Sequence, residues 1–296
     1  MKKKIICLFA FITLFTTGCK KDSMDDITIY TTTYPIEYIT NELYGENSNV
    51  YSIYPNEIIE LSDKLIKDYS NANMFVYNGL SNEKNYTVKM LNNNKNLMPV
   101  DATMGMENEN GIEELWLNPS NFLMLCLNIK NGMKEYIDNT VLRKQIDTNY
   151  EKLKLDISEL DAEIKLLIEN ADDNHILVSN NAFKFLEKKY NDPTNTKVKK
   201  INVYSVANDD NLKDETITEI KKQINNKTIN NIIMFPNDVL TDEIENLLKE
   251  NNIKKLYFDP LTTLSVDNKN SGKDYVTVMK ENLDILRIEL YKQDIE

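Results

Sequence analysis

"DNTVLRKQIDTNYEKLKLDISELDAEIKLLIEN", residues 138–170, contains neither Gly nor Pro. Leu142, Ile146, Tyr150, Leu153, Leu155, Ile157, Leu160, Ile164, Leu167 and Ile168 recur along it at spacings mostly of two to four. That period predicts one long helix with an apolar stripe. A stripe of this kind is a packing surface rather than a cofactor groove. What it packs against must come from either side of it in the chain.

Both sides alternate short apolar runs with helical patterns. Before the long helix, strands are expected at Ile27 to Tyr30, Val50 to Tyr54, Asn73 to Tyr77 and Leu97 to Ala102. Helices are expected at Pro35 to Leu43, Glu57 to Tyr69, Glu83 to Leu91 and 118–136. Pro35 opens its helix and Gly45 lies just past the end, the usual asymmetry of helix termini. After the long helix, strands are expected at 175–179, 201–206, 230–235 and 254–258. The helices there are expected at 181–190, 213–225, 240–251 and 274–292. This βα alternation implies parallel sheets flanked by helices. The expected fold is therefore α/β, with two lobes, each a mainly parallel sheet, joined by one long backbone helix. The expected division is residues 27–137 for the first lobe, 138–171 for the linking helix and 172–296 for the second lobe.

The bulk composition is compatible with this. The 296 residues are 41% hydrophobic, with 7 Gly and 7 Pro, which excludes disordered and fibrous classes. The N-terminus reads as a processing segment. Lys2-Lys3-Lys4 precedes an apolar run from Ile5 to Phe15, too short to span a hydrocarbon core. It runs into Thr16-Thr17-Gly18-Cys19, which resembles a bacterial lipobox. Residues 1–18 are then a lipoprotein signal peptide, Cys19 the lipidated new N-terminus and residues 19–26 a tether. Removal of Lys2, Lys3 and Lys4 takes the formal charge from −12 to −15. Such a chain is not expected to bind nucleic acid, whose phosphates need Lys and Arg. Cys7 leaves with the signal, and Cys126 lies in an apolar stretch as a buried thiol, so no disulfide is expected within the mature chain.

No catalytic motif appears: there is no G-x-S-x-G, no P-loop and no G-x-G-x-x-G. The acidic run from Asp209-Asp210 to Asp214-Glu215 lacks the Gly of a calcium loop and reads as solvated. An enzyme is not expected. The second lobe instead draws attention to Asn180. An apolar run, Ile176 to Ser179, ends there and a helical pattern follows, so Asn180 sits off the carboxyl end of a strand, where open α/β sheets place ligands.

Several stretches resemble one family in order along the chain. Thr33-Tyr34-Pro35 is similar to its opening strand-to-helix turn. Met74-Phe75-Val76-Tyr77-Asn78-Gly79 resembles "FVYNG", and Val100-Asp101-Ala102-Thr103-Met104-Gly105-Met106 resembles "VDASKGI". Leu115-Trp116-Leu117-Asn118-Pro119-Ser120-Asn121 resembles "IWLDPKN", and Val178-Ser179-Asn180-Asn181-Ala182-Phe183 resembles "TSHDAF". Leu256-Tyr257-Phe258-Asp259-Pro260-Leu261 resembles the "LNPL" strand end, and Asp274 to Met279 with Glu281-Asn282-Leu283 the last helix. These motifs resemble the zinc and manganese-binding lipoproteins of bacterial ABC importers.

The resemblance implies an extracytoplasmic substrate-binding lipoprotein, lipid-anchored on the outer face of the cytoplasmic membrane. It implies an ABC permease as partner and a monomer in solution. It also implies a metal held between the lobes by about four ligands, mostly His. Here Glu57 falls nearest the first ligand position, Glu114 stands at the second and Asn180 replaces the third. The fourth, an acidic residue before a Pro at a strand end, reads Phe235-Pro236. The sole histidine, His175, precedes the third position and is expected to be structural. Glu57, Glu114 and Asn180 form an all-oxygen candidate set, which suits Mn, Ca or Mg rather than Zn. Two further functions remain in view: a receptor-fold lipoprotein binding a non-metal ligand, and a surface interaction or adhesion module that binds no metal.

Overall fold

The computed structural model describes residues 27–45, 49–107, 114–191, 199–207 and 214–292. The first half runs β1 (Thr28–Thr31), α1 (Tyr34–Tyr44), β2 (Asn49–Ser52), α2 (Asp63–Tyr69), β3 (Met74–Tyr77), α3 (Glu83–Asn93) and β4 (Met98–Asp101). A 3-10 turn (Leu115–Leu117) leads into α4 (Pro119–Tyr136) and the long helix α5 (Thr140–Glu169). The second half runs β5 (His175–Val178), a 3-10 turn (Asn181–Lys184), α6 (Phe185–Tyr190), β6 (Asn202–Ser205) and α7 (Asp214–Asn225). It ends with β7 (Asn231–Met234), α8 (Asp242–Glu250), β8 (Lys254–Tyr257), α9 (Val266–Asn270) and α10 (Tyr275–Leu290).

Two four-stranded sheets result, with orders β2-β1-β3-β4 and β6-β5-β7-β8. Every strand pair is parallel. Their inner strands are covered on both faces, and all four residues of β7 are buried. The fold is the expected α/β arrangement of two lobes and a backbone helix.

The long helix begins where Asn139 caps it: its Oδ1 accepts from the N–H groups of Val141 and Leu142 at 3.0 and 3.1 Å. Leu142, Ile146, Leu153, Ile157, Leu160, Ile164, Leu167 and Ile168 are its buried residues. They pack on α1, α4 and α10, and each contributes ~1.5–3 kcal/mol relative to exposure. One continuous core joins Ile39 of α1, Ile157 of α5 and Leu283 of α10. The two lobes therefore share an interior and are not two beads on a linker. Leu155, counted in the sequence stripe, is instead 71% exposed. It sits two residues from both Leu153 and Ile157, and that spacing turns it off their face.

Local sequence explains the other boundaries. Gly45 follows α1 with a φ of 104°, a left-handed region open to Gly, and its N–H bonds Asn41 O at 2.8 Å. Gly132 lets α4 lie on β4: a Cβ there would stand 2.4 Å from Val100 Cγ1. Cys126 of α4 is fully buried, and burial pushes its thiol well up. The helix expected from Glu57 starts later. Ser62 Oγ accepts from Leu65 N, so α2 nucleates at Asp63. Residues 55–60 form an exposed loop instead, because Ile58 and Ile59 are adjacent and find no common face to bury. Of the acidic run, Asp214 and Glu215 stand in the first turn of α7, favourable at a helix N-terminus, while residues 208–213 lie outside the described residues.

Candidate functional site

In each sheet the chain leaves the second strand position in one direction, then crosses back to the other side. The switch points lie at the carboxyl ends of β1 and β3, and of β5 and β7, where open α/β sheets bind ligands. In the first lobe this end is Thr31-Thr32-Thr33. Thr32 and Thr33 are buried, and neither hydroxyl has a partner among the described residues. Buried polar atoms without partners are rare and mark places suited to a water or ligand atom.

In the second lobe the switch point is Ser179-Asn180. Asn180 Oδ1 accepts from Ala182 N at 2.8 Å and so caps the 3-10 turn Asn181–Lys184. Its Nδ2 lies 3.5 Å from Asp238 Oδ1. Ser179 Oγ donates to Asp238 Oδ2 at 2.5 Å, and Phe235 N donates to the same oxygen at 3.3 Å. Asp238 thus folds back from the loop after β7 onto the tip of β5. The sequence reading, fixed on Phe235-Pro236, missed it. The signal was there in Pro236-Asn237-Asp238, a turn that reverses an acid onto the strand end it has just left.

An acidic residue before a Pro at a strand end does exist, one strand further on. Asp259 precedes Pro260 after β8. Burial pushes its carboxyl up, against the opposing effect of Leu261 N, which donates to Oδ1 at 2.8 Å. Leu261 is fully buried with a φ of 56°, strained for a side chain of that size. The lobes meet on this segment. Trp116 Nε1 donates to Pro260 O at 2.7 Å, Tyr34 N donates to Thr262 O at 3.0 Å, and Tyr275 OH donates to Trp116 O at 2.6 Å.

Two other motif residues turn out to hold each other. Asp101 Oδ1 accepts from Gly79 N at 3.1 Å and from Thr103 N and Oγ1 at 2.9 and 2.8 Å. A Cβ on Gly79 would stand 2.1 Å from the other Asp101 oxygen, so the Asn78-Gly79 turn admits no side chain there.

Between the N-terminal end of α4 and the second lobe's α6 lies a cavity of about 760 Å³. Glu114, Leu115 and Asn118 line it from one side, Ala182, Phe185 and Lys188 from the other. Of the three sequence candidates, only Glu114 lines this cavity. Glu57 is exposed in the loop before α2, and Asn180 is engaged in capping. Cys19 lies outside the described residues. Among the described residues no three His, Cys, Asp or Glu side chains gather closely enough to hold a metal ion. His175 opens β5, at the strand end remote from Asn180, and its Nδ1 lies 2.6 Å from Asp173 Oδ1. The cleft therefore receives no nitrogen from a His and no thiolate from Cys126, which is buried in α4.

The family model of the periplasmic zinc-uptake complex component A matches residues 29–288. The zinc-binding protein AdcA of Streptococcus pyogenes serotype M1 is 25% identical over 329 residues, covering 97% of this chain and 62% of that protein. The zinc-binding lipoprotein AdcA of Streptococcus pneumoniae R6 is 23% identical, covering 97% of this chain and 61% of that one. The chain thus spans 61–62% of the length of these curated relatives. The crystal structure of the Zn(II)-bound ZnuA-like domain of Streptococcus pneumoniae AdcA superposes with a TM-score of 0.67 at 23% identity, covering 89% of this chain and 98% of that one.

Proposed function

Since the chain belongs to the periplasmic zinc-uptake complex component A family, we propose that it is the extracytoplasmic substrate-binding protein of a metal-type ABC importer, with a site of its own that is poor in nitrogen donors. The observation that carries the second half is the position of His175. The chain's sole His is tied to Asp173 at the far end of β5, and no acidic cluster replaces it among the described residues. Protein zinc sites draw on Cys and His, with carboxylates as supplements. Carboxylate, amide and hydroxyl oxygens are what this cleft offers, so an ion bound by the chain alone would be Mn²⁺, Ca²⁺ or Mg²⁺ rather than Zn²⁺. Titration of the purified, signal-free protein with Zn²⁺ by calorimetry should show no stoichiometric site of submicromolar affinity. A site that tight would overturn this reading, and loss of it on His175→Ala would locate the error.

The anchor is part of the same proposal. The short apolar run before Thr17-Gly18-Cys19 and the lipoprotein character of the Streptococcus pneumoniae relative support lipidation of Cys19. Among the described residues no helix is long and apolar enough to cross a membrane. In fractionated cells, Cys19→Ser should move the protein from the membrane to the soluble fraction. Retention of the variant on the membrane would place the anchor elsewhere. Delivery to an ABC permease follows from the family and belongs to the same reading.

A further inference from the structure

The segment that leaves β8 crosses to the first lobe before it returns to α10. It is pinned at its start by Leu261 and Leu264, both buried. It is pinned at its end by Lys273, whose Nζ lies 2.6 Å from Glu281 Oε1 of α10. Between these pins, from Ser265 to Gly272, no residue is buried. This stretch holds α9, five residues long and capped by Ser265, whose Oγ accepts from Asn268 N at 3.1 Å. A helix this short has no stability of its own. Gly272 ends the stretch with a φ of 69° and open space where a Cβ would stand, so the return turn keeps the conformational freedom of Gly.

Among the described residues, two side-chain bonds tie this stretch to the rest of the molecule, one to each lobe. Asn268 Nδ2 lies 3.5 Å from Asp259 Oδ2 on the second lobe, and Lys269 Nζ donates to Pro55 O on the first. The positive charge of Lys269 also reaches Glu37 of α1. Ser52 builds the corner on which Lys269 lands. Its Oγ donates to Thr32 O at 2.5 Å and accepts from Tyr54 N at 2.9 Å, one residue before Pro55. On the other side of the same corner, Tyr34 N donates to Thr262 O. Thr32 and Thr33, with their buried unpartnered hydroxyls, stand between these two contacts in the chain.

We propose that residues 265–272 form a hinged flap over the carboxyl end of β1, latched to the first lobe by Lys269 and released as a unit when that bond breaks. A stretch that buries no side chain is held only by its polar ties, so it opens at far less cost than the whole molecule unfolds. Its pins at Leu264 and Lys273 stay in place, and the chain turns at its own ends, as hinges do. Lifting the flap takes Asn268 off Asp259 and opens Thr32 and Thr33 to solvent. This deepens the receptor reading as regulation of access to its cleft, and rests on that reading only for the identity of what enters.

The test is the rate at which Ellman's reagent reaches a thiol placed under the flap. Thr32→Cys and, separately, Thr33→Cys are made in the full signal-free chain carrying Cys19→Ser, which leaves Cys126 as the only other thiol. Cys126 is fully buried in α4 and reports global unfolding. The introduced thiol should react slowly but ahead of Cys126. Lys269→Met, which removes the donor and keeps the length, should speed it about tenfold or more with Cys126 unchanged, whereas Lys269→Arg should keep the original rate. Deuterium exchange of the chain without the Thr substitutions keeps the test independent of their effect on folding. There Lys269→Met should raise exchange across 265–272 and leave α5 and α10 as they were. Immediate reaction of both introduced thiols in the latched protein, reaction in step with Cys126, or rates and exchange indifferent to Lys269→Met would each overturn the flap. No arm uses a bound ion, so the flap can fail while the metal reading stands, and the reverse.

Discussion

Replacing Trp116 by Ala is expected to lower the unfolding free energy by ~3–5 kcal/mol, the range for truncating a buried large aromatic. Trp116 is 2% exposed and among the largest buried side chains. It is also a polar bridge between lobes: Nε1 donates to Pro260 O at 2.7 Å, and its own carbonyl accepts from Tyr275 OH at 2.6 Å. Truncation leaves a void and strands the Pro260 carbonyl, and the strained Leu261 loses its brace one residue on. Trp116→Phe separates the two contributions. It keeps most of the volume but removes the donor, and should cost ~1–3 kcal/mol. Urea unfolding of both variants measures the difference. If Ala costs under about 1 kcal/mol, or Phe costs as much as Ala, the bridge does not have this role.

Glu289→Ala should be comparably damaging, ~3–5 kcal/mol, because it removes one partner from a buried charged network. The Glu289 side chain is wholly buried in α10. Its carboxylate accepts from Asn230 N at 3.0 Å, Asn231 Nδ2 at 2.7 Å and Lys292 Nζ at 2.9 Å, and so ties the last helix to the start of β7. Burial nevertheless dominates and raises the carboxyl above its ordinary 4.5. A raised native pKa means that the fold favours the protonated form. The linked stability is complete below 4.5 and is lost as pH rises through the raised native value. Burial likewise raises Glu37, Glu42 and Asp259, so the wild type should melt higher at mildly acidic pH than above neutrality. Glu289→Gln keeps an acceptor, should cost less than Ala and should flatten part of this slope. Melting curves from pH 5 to 8 for wild type and Gln variant check the sign. A wild type that gains stability with pH across that range would contradict it.

The helices and strands were legible wherever a pattern repeats. The stripe of α5, the Pro–Gly pair around α1 and the apolar runs of β5 and β7 each state their conformation within a few residues, since burial of one face acts locally along the chain. The α2 boundary was misread because Glu57 to Leu61 looks helical in composition. Whether a face exists to bury is decided by neighbours distant in sequence, and Ile58 and Ile59 find none.

Residue types were legible too: a single His, with Glu57, Glu114 and Asn180 at three of the positions that the sequence resemblance implies. Their geometry was not. Asp238 reaches Ser179 and Asn180 across 59 and 58 positions of chain. Trp116 meets Pro260 across 144, and Lys189 meets Ser120 across 69. Sequence by itself determined the fold class and the poverty of nitrogen donors, because both follow from which residues are present and how often they recur. Only the tertiary structure decided that Glu57 stays in solvent, that Asn180 is engaged as a cap and that Glu114 lines a cavity between α4 and α6. Those outcomes depend on which strand ends the two sheets bring together, and contacts that close loops this long are set by the packing of the whole chain rather than by any local pattern.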